Sequence, residues 1–203
     1  MSEKDDVIRK LLNNQDFETL TDIYDYLFAK GHIFPADVTE FLLTQDISPQ
    51  EILIAWSSTR IYPETFWECD KFTPNTILPK HIQYLGTSSF CKSNIQSVSC
   101  ENVFDIENKA FKDSKLSSIE MPNIRIIKRE AFSGCVGLTQ IELPDSLEDL
   151  WRDAFLGCWN LVVSISRQAL DKIYPLHNRI GFSGRQISDS LTHMFGGKQW
   201  VIS

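Results

Sequence analysis

The sequence lacks an excess of basic residues. Twenty lysines and arginines stand against 27 aspartates and glutamates, so the formal net charge is -7. Most of this acidity lies in residues 1–60, whose net charge is -6, while residues 61–203 are nearly neutral at -1. Broad nucleic-acid binding needs a basic stripe that displaces counterions from phosphate. We therefore expect no nucleic-acid partner.

Long apolar runs are also missing. No segment approaches the roughly 18 apolar residues of a membrane span, and the first residues, MSEKDDVIRKLLNN, are charged where a signal peptide has an apolar stretch. These features predict a soluble cytoplasmic protein that does not act on a membrane. The 203 residues, 42% of them apolar, are enough for one large or two small domains with a real core.

Motifs for metal binding and catalysis are absent too. The five cysteines include no C-x2-C pair, and the four histidines are isolated. The segment GFSGR has Arg185 where a nucleophile elbow needs a second glycine after Ser183. We therefore expect no metal, no cofactor and no enzymatic activity. An enzyme with an unrecognised site is the least favoured alternative.

Residues 1–59 contain four segments with the spacing of amphipathic helices. In residues 17–28 apolar side chains recur at i, i+3, i+4 and i+7, and Ser48–Glu51 form a capping box with proline at the first helical position. The first and third segments present Val7, Ile8, Leu11 and Leu12, and Val38, Phe41 and Leu42. We predict a small acidic helical domain here. From Arg60 onward prolines and short β-branched or aromatic runs replace the helical spacing.

Four segments after this boundary repeat one phrase. They are TSSFCKSNIQSVSC, NKAFKDSKLSSIEM, REAFSGCVGLTQIEL and RDAFLGCWNLVVSI, anchored on Phe90, Phe111, Phe132 and Phe155 at spacings of 21, 21 and 23 residues. A fixed period of this length indicates a solenoid, in which each unit buries its apolar side by stacking on the next. Phe66 marks an earlier and weaker copy. We expect the anchors to form a continuous buried aromatic column.

Each anchor is followed by a turn and then by the strand pattern L-x-x-I-x-I. The copies are Ile95/Val98/Cys100, Leu116/Ile119/Met121 and Leu138/Ile141/Leu143. In the fourth copy Ser164 and Ser166 fall where apolar residues should lie, so we expect this strand to bulge or to end the ladder. Cysteines three residues after an anchor, at positions 69, 135 and 158, should be buried as small apolar fillers.

These residues resemble the BspA-like, or Treponema pallidum type, leucine-rich repeat family, whose unit reads approximately I-xx-I-xxxAF-xxC-xxL-xx-I-x-LP. The segment IIKREAFSGCVGLTQIELPDSLEDLWRDAFLGCWNL carries that pattern with few departures. The resemblance covers about residues 60–166. It implies a right-handed solenoid of four to five coils with a parallel β-sheet on one face, and it implies binding of other macromolecules without catalysis.

The whole chain is thus predicted to have an α+β fold in three parts. The helical domain of residues 1–59 precedes the repeats of residues 60–166, and residues 167–203 form a C-terminal cap, because an uncovered terminal strand would offer unpaired backbone groups to other chains. Within the cap RQALDKIY favours a helix, a second helix could follow Ser183, and the last residues favour a short strand.

The candidate partner-binding residues are those that alternation places on the outer side of the strands. They are Ser97, Ser118, Gln140 and Val163 in one row, and Ser99, Glu120, Glu142 and Ile165 in the next. Such a face, polar and then apolar toward its end, could dock a protein; equally, it could be a solvated face whose apolar end is covered by the tail.

The leading hypothesis for function is a non-enzymatic intracellular protein-binding module that uses this face, the helical domain or the groove between them. A narrower form is an inhibitor of another protein, for example in phage-type counter-defence. The alternative is a scaffold protein that self-associates through a solenoid end or through exposed aromatics such as Trp151 and Trp159.

Overall fold

The computed structural model of the chain describes residues 3–13, 18–30, 35–151, 153–174 and 198–203. Its secondary structure begins with helices, continues with short parallel strands and ends with a helix and a strand. In chain order the elements are α1 (Glu3–Leu12), α2 (Leu20–Lys30), α3 (Pro35–Thr44), α4 (Pro49–Ile54), β1 (Arg60–Ile61), β2 (Asn75–Ile77), β3 (Tyr84–Leu85), β4 (Ser97–Ser99), β5 (Asp105–Ile106), β6 (Ser118–Glu120), β7 (Ile126–Ile127), β8 (Gln140–Leu143), β9 (Asp149–Leu150), β10 (Val162–Ile165), α5 (Arg167–Ile173) and β11 (Gln199–Ile202).

The N-terminal helices lie where the apolar spacing predicts them. The capping box of α4 is complete: Ser48 Oγ accepts a hydrogen bond from Glu51 N at 3.3 Å, and Glu51 Oε2 accepts one from Ser48 N at 2.8 Å. Val7 is exposed while Ile8 is fully buried, because adjacent residues of a helix point in different directions. Phe17 lies outside the described residues.

The helices pack against the first coil of the solenoid. The Trp56 ring lies 4.8 Å from Tyr24 on α2 and 5.7 Å from Tyr62 after β1, centroid to centroid. Lys71 Nζ also donates to Leu43 O at 2.8 Å. Buried residues of the helices and of the coils belong to one apolar core. The helical part therefore closes the N-terminal end of the solenoid.

A column of stacked phenylalanines runs through the coils. Consecutive ring centroids are 5.3, 5.2, 5.5 and 5.5 Å apart, with interplanar angles between 4° and 15°, for Phe66, Phe90, Phe111, Phe132 and Phe155. All five side chains are fully buried. The predicted column is confirmed, and it includes Phe66 of the weak first copy.

Each coil contributes one strand to either side of this column. On one side β1, β3, β5, β7 and β9 form a single parallel sheet, which we call the back sheet. On the other side are two three-stranded parallel sheets, in the orders β2-β4-β6 and β8-β10-β11. Strands β6 and β8 are neighbours, but the hydrogen-bonded ladder is interrupted between them.

The fourth copy does not change phase, so the expected bulge or ladder end is wrong. Val163 pairs with Ile141 and Ile165 with Leu143 in the parallel register, and both side chains are buried, with exposures of 0% and 1%. Leu161 follows its anchor by six residues, one more than Leu116 does, but Val163 then comes one residue earlier than the pattern requires. The two changes cancel, and the strand keeps its register.

The described part of residues 167–203 extends the solenoid at its C-terminal end. Helix α5 begins at the predicted RQALDKIY segment, where Ser166 Oγ accepts from Ala169 N at 3.1 Å. Strand β11 pairs in parallel with β10, with Val162 opposite Gln199. The helix expected after Ser183 lies outside the described residues. Within the described ranges no helix has both the length and the apolar character that crossing a bilayer requires.

Candidate protein-binding face

The outward side chains of the two three-stranded sheets form a surface that we call the front face. Because side chains of a strand alternate between two sides, each strand supplies two of them. One row contains Asn75, Ser97, Ser118, Gln140, Val162 and Gln199, and the other contains Ile77, Ser99, Glu120, Glu142, Ser164 and Val201. The pairing register aligns these residues within each sheet.

Six of the seven predicted site residues lie on this face. Ser97 and Ser99 are half-buried, and Ser118, Glu120, Gln140 and Glu142 are exposed. The prediction that Val163 lies on this face is wrong, because its side chain points into the core, as does that of Ile165. The prediction followed the apparent phase change in the fourth copy, which the structure does not have. Whether the six residues bind a partner stays a prediction.

The pattern-based prediction missed members at both ends of the face. Asn75 and Ile77 belong to the weak first coil, where no L-x-x-I-x-I pattern marks the strand. The same phase error placed Ser164 at a core position and left Val162 out of the predicted face. Strand β11 was predicted as a strand, but no sequence signal indicated that its Gln199 and Val201 would join this sheet.

Elsewhere on the coils, six pairs of charged side chains connect neighbouring coils. The nitrogen–oxygen distances are 3.2 Å for Lys80–Glu101, 2.8 Å for Lys92–Glu68, 2.9 Å for Arg125–Glu148, 2.7 Å for Lys128–Glu107 and 2.9 Å for Arg129–Asp153, and Lys112 pairs with Glu130. Hydrogen bonds from Arg125 and Lys112 lower the pKa of Glu148 and of Glu130 respectively. Opposite charges on facing coils thus support the stacking.

The front face differs from these surfaces. None of its polar side chains makes a hydrogen bond or an ion pair with another described residue. Its charged members, Glu120 and Glu142, carry the same sign and occupy equivalent positions of consecutive coils. The face therefore carries unused hydrogen-bonding capacity and an uncompensated negative charge.

A shallow groove of about 370 Å³ opens on this face where the ladder is interrupted. Its lining residues are Ile119, Glu120, Met121, Pro122, Glu142 and Pro144. A second groove, of about 460 Å³, lies between α3 and the first coil. Asp37, Glu40, Glu68 and Asp70 line it together with Trp67. Acidic side chains therefore outnumber basic ones in both of these grooves, whereas a third groove of about 420 Å³ is lined by Lys109, Arg129 and Glu130.

The cysteines serve the packing of the coils. Cys135 Sγ donates to Phe111 O at 3.0 Å, and Cys158 Sγ donates to Phe132 O at 3.0 Å. Each thiol is therefore hydrogen-bonded to the backbone of the anchor phenylalanine in the preceding coil. Burial raises the pKa of Cys135 to about 12 and that of Cys158 to about 11. Thiols with such pKa values are poor nucleophiles at neutral pH. The predicted role as buried fillers is confirmed.

Candidate chemical sites are few in the part of the chain that the structure describes. No group of three or more histidine, cysteine, aspartate or glutamate side chains in these ranges could hold a metal ion. Ser183 of the GFSGR segment falls outside them. Among the described residues, the candidate surfaces for binding include the front face with its groove and the acidic groove beside α3.

Comparison with known proteins agrees with this architecture. The family model for the BspA type leucine rich repeat region, with six copies, matches residues 10–114 and 104–175. The chain belongs to this family. The match to BspA-type repeats begins within α1, well ahead of the first coil.

Two solved structures are similar to this BspA-type chain. A leucine rich cell surface protein from Faecalibacterium prausnitzii is 26% identical over 49% of this chain and 27% of its own length, with a TM-score of 0.46. A leucine-rich repeat protein from Bacteroides ovatus is 16% identical over 71% of this chain and 51% of its own, with a TM-score of 0.28. The matches thus span about a quarter and about half of those proteins. No curated protein matches the chain.

Proposed function

We propose that this chain is a non-enzymatic protein-binding module and that it binds its partner through the front face. BspA-type repeats are leucine-rich repeats, whose stacked strands create extended surfaces for binding. The observation that carries the proposal is a contrast between surfaces. Many charges on the back sheet and the turns are paired between coils, whereas none of the polar side chains of the front face has a partner among the described residues.

The chemistry of the face favours a protein with a basic or neutral polar surface. The face offers hydroxyl, amide and carboxylate groups and contains no lysine or arginine. Exposed apolar side chains lie at its two ends, where Ile77 is 67% and Val201 is 46% exposed. An acidic face of this kind repels phosphate backbones and anionic membranes. The proposal therefore excludes nucleic acid and lipid surfaces as the main partner.

Site-specific photo-crosslinking tests which surface meets the partner. Benzoylphenylalanine replaces Ser118 or Gln140 on the front face, and Asp149 on the back sheet serves as the control position. We expect both front-face positions to crosslink the same protein in cells that produce the full chain, with little product from position 149. Equal crosslinking of that protein from position 149, or crosslinking from there alone, would refute the proposal.

A finer statement belongs to this proposal: binding takes place in the cytoplasm and blocks another protein, as a phage-type counter-defence inhibitor would. The acidity and small size of the chain permit it. Loss of the crosslinked partner's own activity on addition of the purified chain would support inhibition, and unchanged activity at saturating concentration would exclude it.

A scaffold that self-associates is the second candidate function. It is favoured by two large exposed aromatics, Trp151 at 48% and Trp159 at 75% exposure. Sedimentation velocity over a wide concentration range separates the candidates. A concentration-dependent oligomer that Trp159→Ala abolishes would favour the scaffold, whereas a monomer at every concentration would exclude it.

A further inference from the structure

The interruption between β6 and β8 is a local opening of the front face. Ile119, the central residue of β6, is only half-buried, whereas its equivalents Val98 and Ile141 are buried. The coil on the C-terminal side of the opening has a turn one residue longer than the two coils before it, since Leu138 follows Phe132 by six residues, whereas Ile95 and Leu116 follow their anchors by five. The back sheet remains continuous through the same coils. The coils are therefore still stacked, and only their front strands are separated.

The groove at this opening combines two kinds of wall. Ile119, Met121, Pro122 and Pro144 supply apolar surface, and Glu120 and Glu142 supply two carboxylates. Neither carboxylate has an ion pair or a hydrogen bond with any described residue. Its volume of about 370 Å³ falls within the range of about 300–1,000 Å³ that is common for small-ligand pockets.

We propose that this groove binds an arginine side chain of the protein partner, presented in an extended segment with an aliphatic residue beside it. The apolar wall fits the methylene stem and the aliphatic neighbour, as long cationic side chains commonly bury their stems. Two carboxylates on successive coils fit a guanidinium, which has five donors in a planar fork, better than the compact ammonium of lysine.

Long-range electrostatics favour a basic partner but not this groove in particular, because -6 of the net charge lies in residues 1–60. The chain carries a net charge of -7, which attracts a basic partner and repels a second copy of the same chain. The acidic groove beside α3 is the competing site for a basic segment. The experiment therefore has to locate the bound group as well as detect it.

This inference rests on the proposed function and can be tested with a defined probe. The probe is the peptide amide N-acetyl-Leu-Arg-Val-NH2, titrated into the 15N-labelled full chain and followed by amide chemical shifts. Matched peptides carry lysine or glutamine in place of arginine. We expect shifts centred on the amides of Ile119, Met121 and Glu142, with the arginine peptide binding more tightly than the lysine peptide and the glutamine peptide not binding.

Two variants with equal charge change show whether the carboxylates act locally. Glu120→Gln with Glu142→Gln should weaken binding of the arginine peptide at least about tenfold, the size expected when two charged contacts are lost. Asp6→Asn with Asp149→Asn removes the same charge from α1 and the back sheet and should change affinity by less than about twofold, because exposed distant charges are screened. Urea midpoints should show both variants folded, since the first removes a repulsion.

Several results would overturn the inference: equal weakening by the two variants, shifts centred on Asp37 and Trp67, or equal binding of the glutamine peptide. Failure here is separable from failure of the proposed function. If position 118 crosslinks a partner whose affinity is unchanged by the Glu120/Glu142 variant, the arginine site is wrong and the front-face proposal stands. If the peptide binds the groove but the partner crosslinks only from position 149, the proposed function is wrong.

Discussion

The side-chain amide of Gln50 binds the backbone N–H and C=O groups of Ile77, as a neighbouring strand would. Its Nε2 donates to Ile77 O at 3.1 Å, and its Oε1 accepts from Ile77 N at 3.4 Å. Strand β2 begins the front ladder, so these backbone groups would otherwise lie at an open sheet edge, where another chain can pair. Trp56 Nε1 donates in the same way to Arg60 O of β1 at 2.8 Å. Two side chains in and just after α4 thus cover the first strands of both ladders.

We expect Gln50→Ala to lower the free energy of unfolding by about 1 kcal/mol, the usual net contribution of a hydrogen bond. Urea denaturation measures the loss, and hydrogen exchange at the Ile77 amide should become faster. Gln45→Ala is the matched control, because among the described residues Gln45 Nε2 donates only to the adjacent Thr44 Oγ1, at 3.0 Å. Equal effects of the two substitutions, or unchanged exchange at Ile77, would contradict this account.

The phenylalanine column should dominate the stability of the coils. Phe132 is fully buried, and its ring lies 5.5 Å from both Phe111 and Phe155. We expect Phe132→Ala to cost about 3–5 kcal/mol, the usual range for truncation of a buried aromatic side chain. Val136→Ala, at a turn position where the side chain is 65% exposed, is the control and should change stability by less than about 0.5 kcal/mol. A denaturation midpoint for Phe132→Ala that equals that of the control would show that the column is wrongly placed.

Gly134 occupies a turn position that disfavours any side chain. Its φ is +75°, and an added Cβ would lie 2.0 Å from Asp113 Oδ1 in the preceding coil. We expect Gly134→Ala to destabilise the chain by about 1–2 kcal/mol, the cost of a left-handed conformation for a residue with a Cβ.

A double-mutant cycle separates two costs of Gly134→Ala: the strain of its left-handed backbone conformation, and the clash of the added Cβ with the Asp113 carboxylate. Asp113 itself has a φ of +56°, so Asp113→Gly should stabilise the protein or leave it unchanged. If the carboxylate adds to the cost at Gly134, the alanine substitution should be less harmful in the Asp113→Gly background. A larger loss of stability from Gly134→Ala in the Asp113→Gly background would contradict the contact between Gly134 and Asp113.

Two carboxylates should influence stability with opposite dependence on pH. The hydrogen bond from Lys112 lowers the pKa of Glu130, so its contribution is present above the unfolded pKa of about 4.3 and is lost as the pH falls through the folded pKa. Burial raises the pKa of Asp105, whose Oδ1 is buried without a partner. The folded state is therefore penalised at pH values above the unfolded pKa of about 3.9, and the penalty vanishes below it.

The corresponding variants are Glu130→Gln and Asp105→Asn. At pH 7 we expect the first to lower the urea midpoint and the second to raise it, while at pH 3 both should match the parent protein. Lys128 keeps its 2.7 Å contact with Glu107 in the second variant. Shifts of the same sign at pH 7, or differences that persist unchanged at pH 3, would rule out the assigned environments.

Most of the fold could be predicted because it depends on local patterns. The capping box at Ser48 marks the start of a helix, and the repeated anchor with its two apolar patterns marks each coil. Six of the seven proposed face residues followed from the alternation of strand side chains. Val163 was misplaced because two changes in length occur in the fourth copy. The turn between Phe155 and Leu161 is one residue longer, and the step from Leu161 to Val163 is one residue shorter. Only the pairing with β8 shows that these changes cancel.

Other features of this chain depend on contacts between residues that are distant in sequence. Gln50 and Ile77 are separated by 27 positions, and no sequence spacing indicates that an amide will cover a strand edge. The charge pairs between coils depend on the exact stacking register, which the repeat period alone does not specify. The same is true of the opening beside Ile119.

The sequence by itself therefore determined the helices, the coils, the phenylalanine column and the alternating sides of the strands, because each follows from a short apolar period. Only the tertiary structure decided which charges are paired, which strand edges are covered and where the front ladder opens. These depend on how one coil is placed against the next. That placement is set by side chains about twenty residues apart, which meet only when the chain is folded.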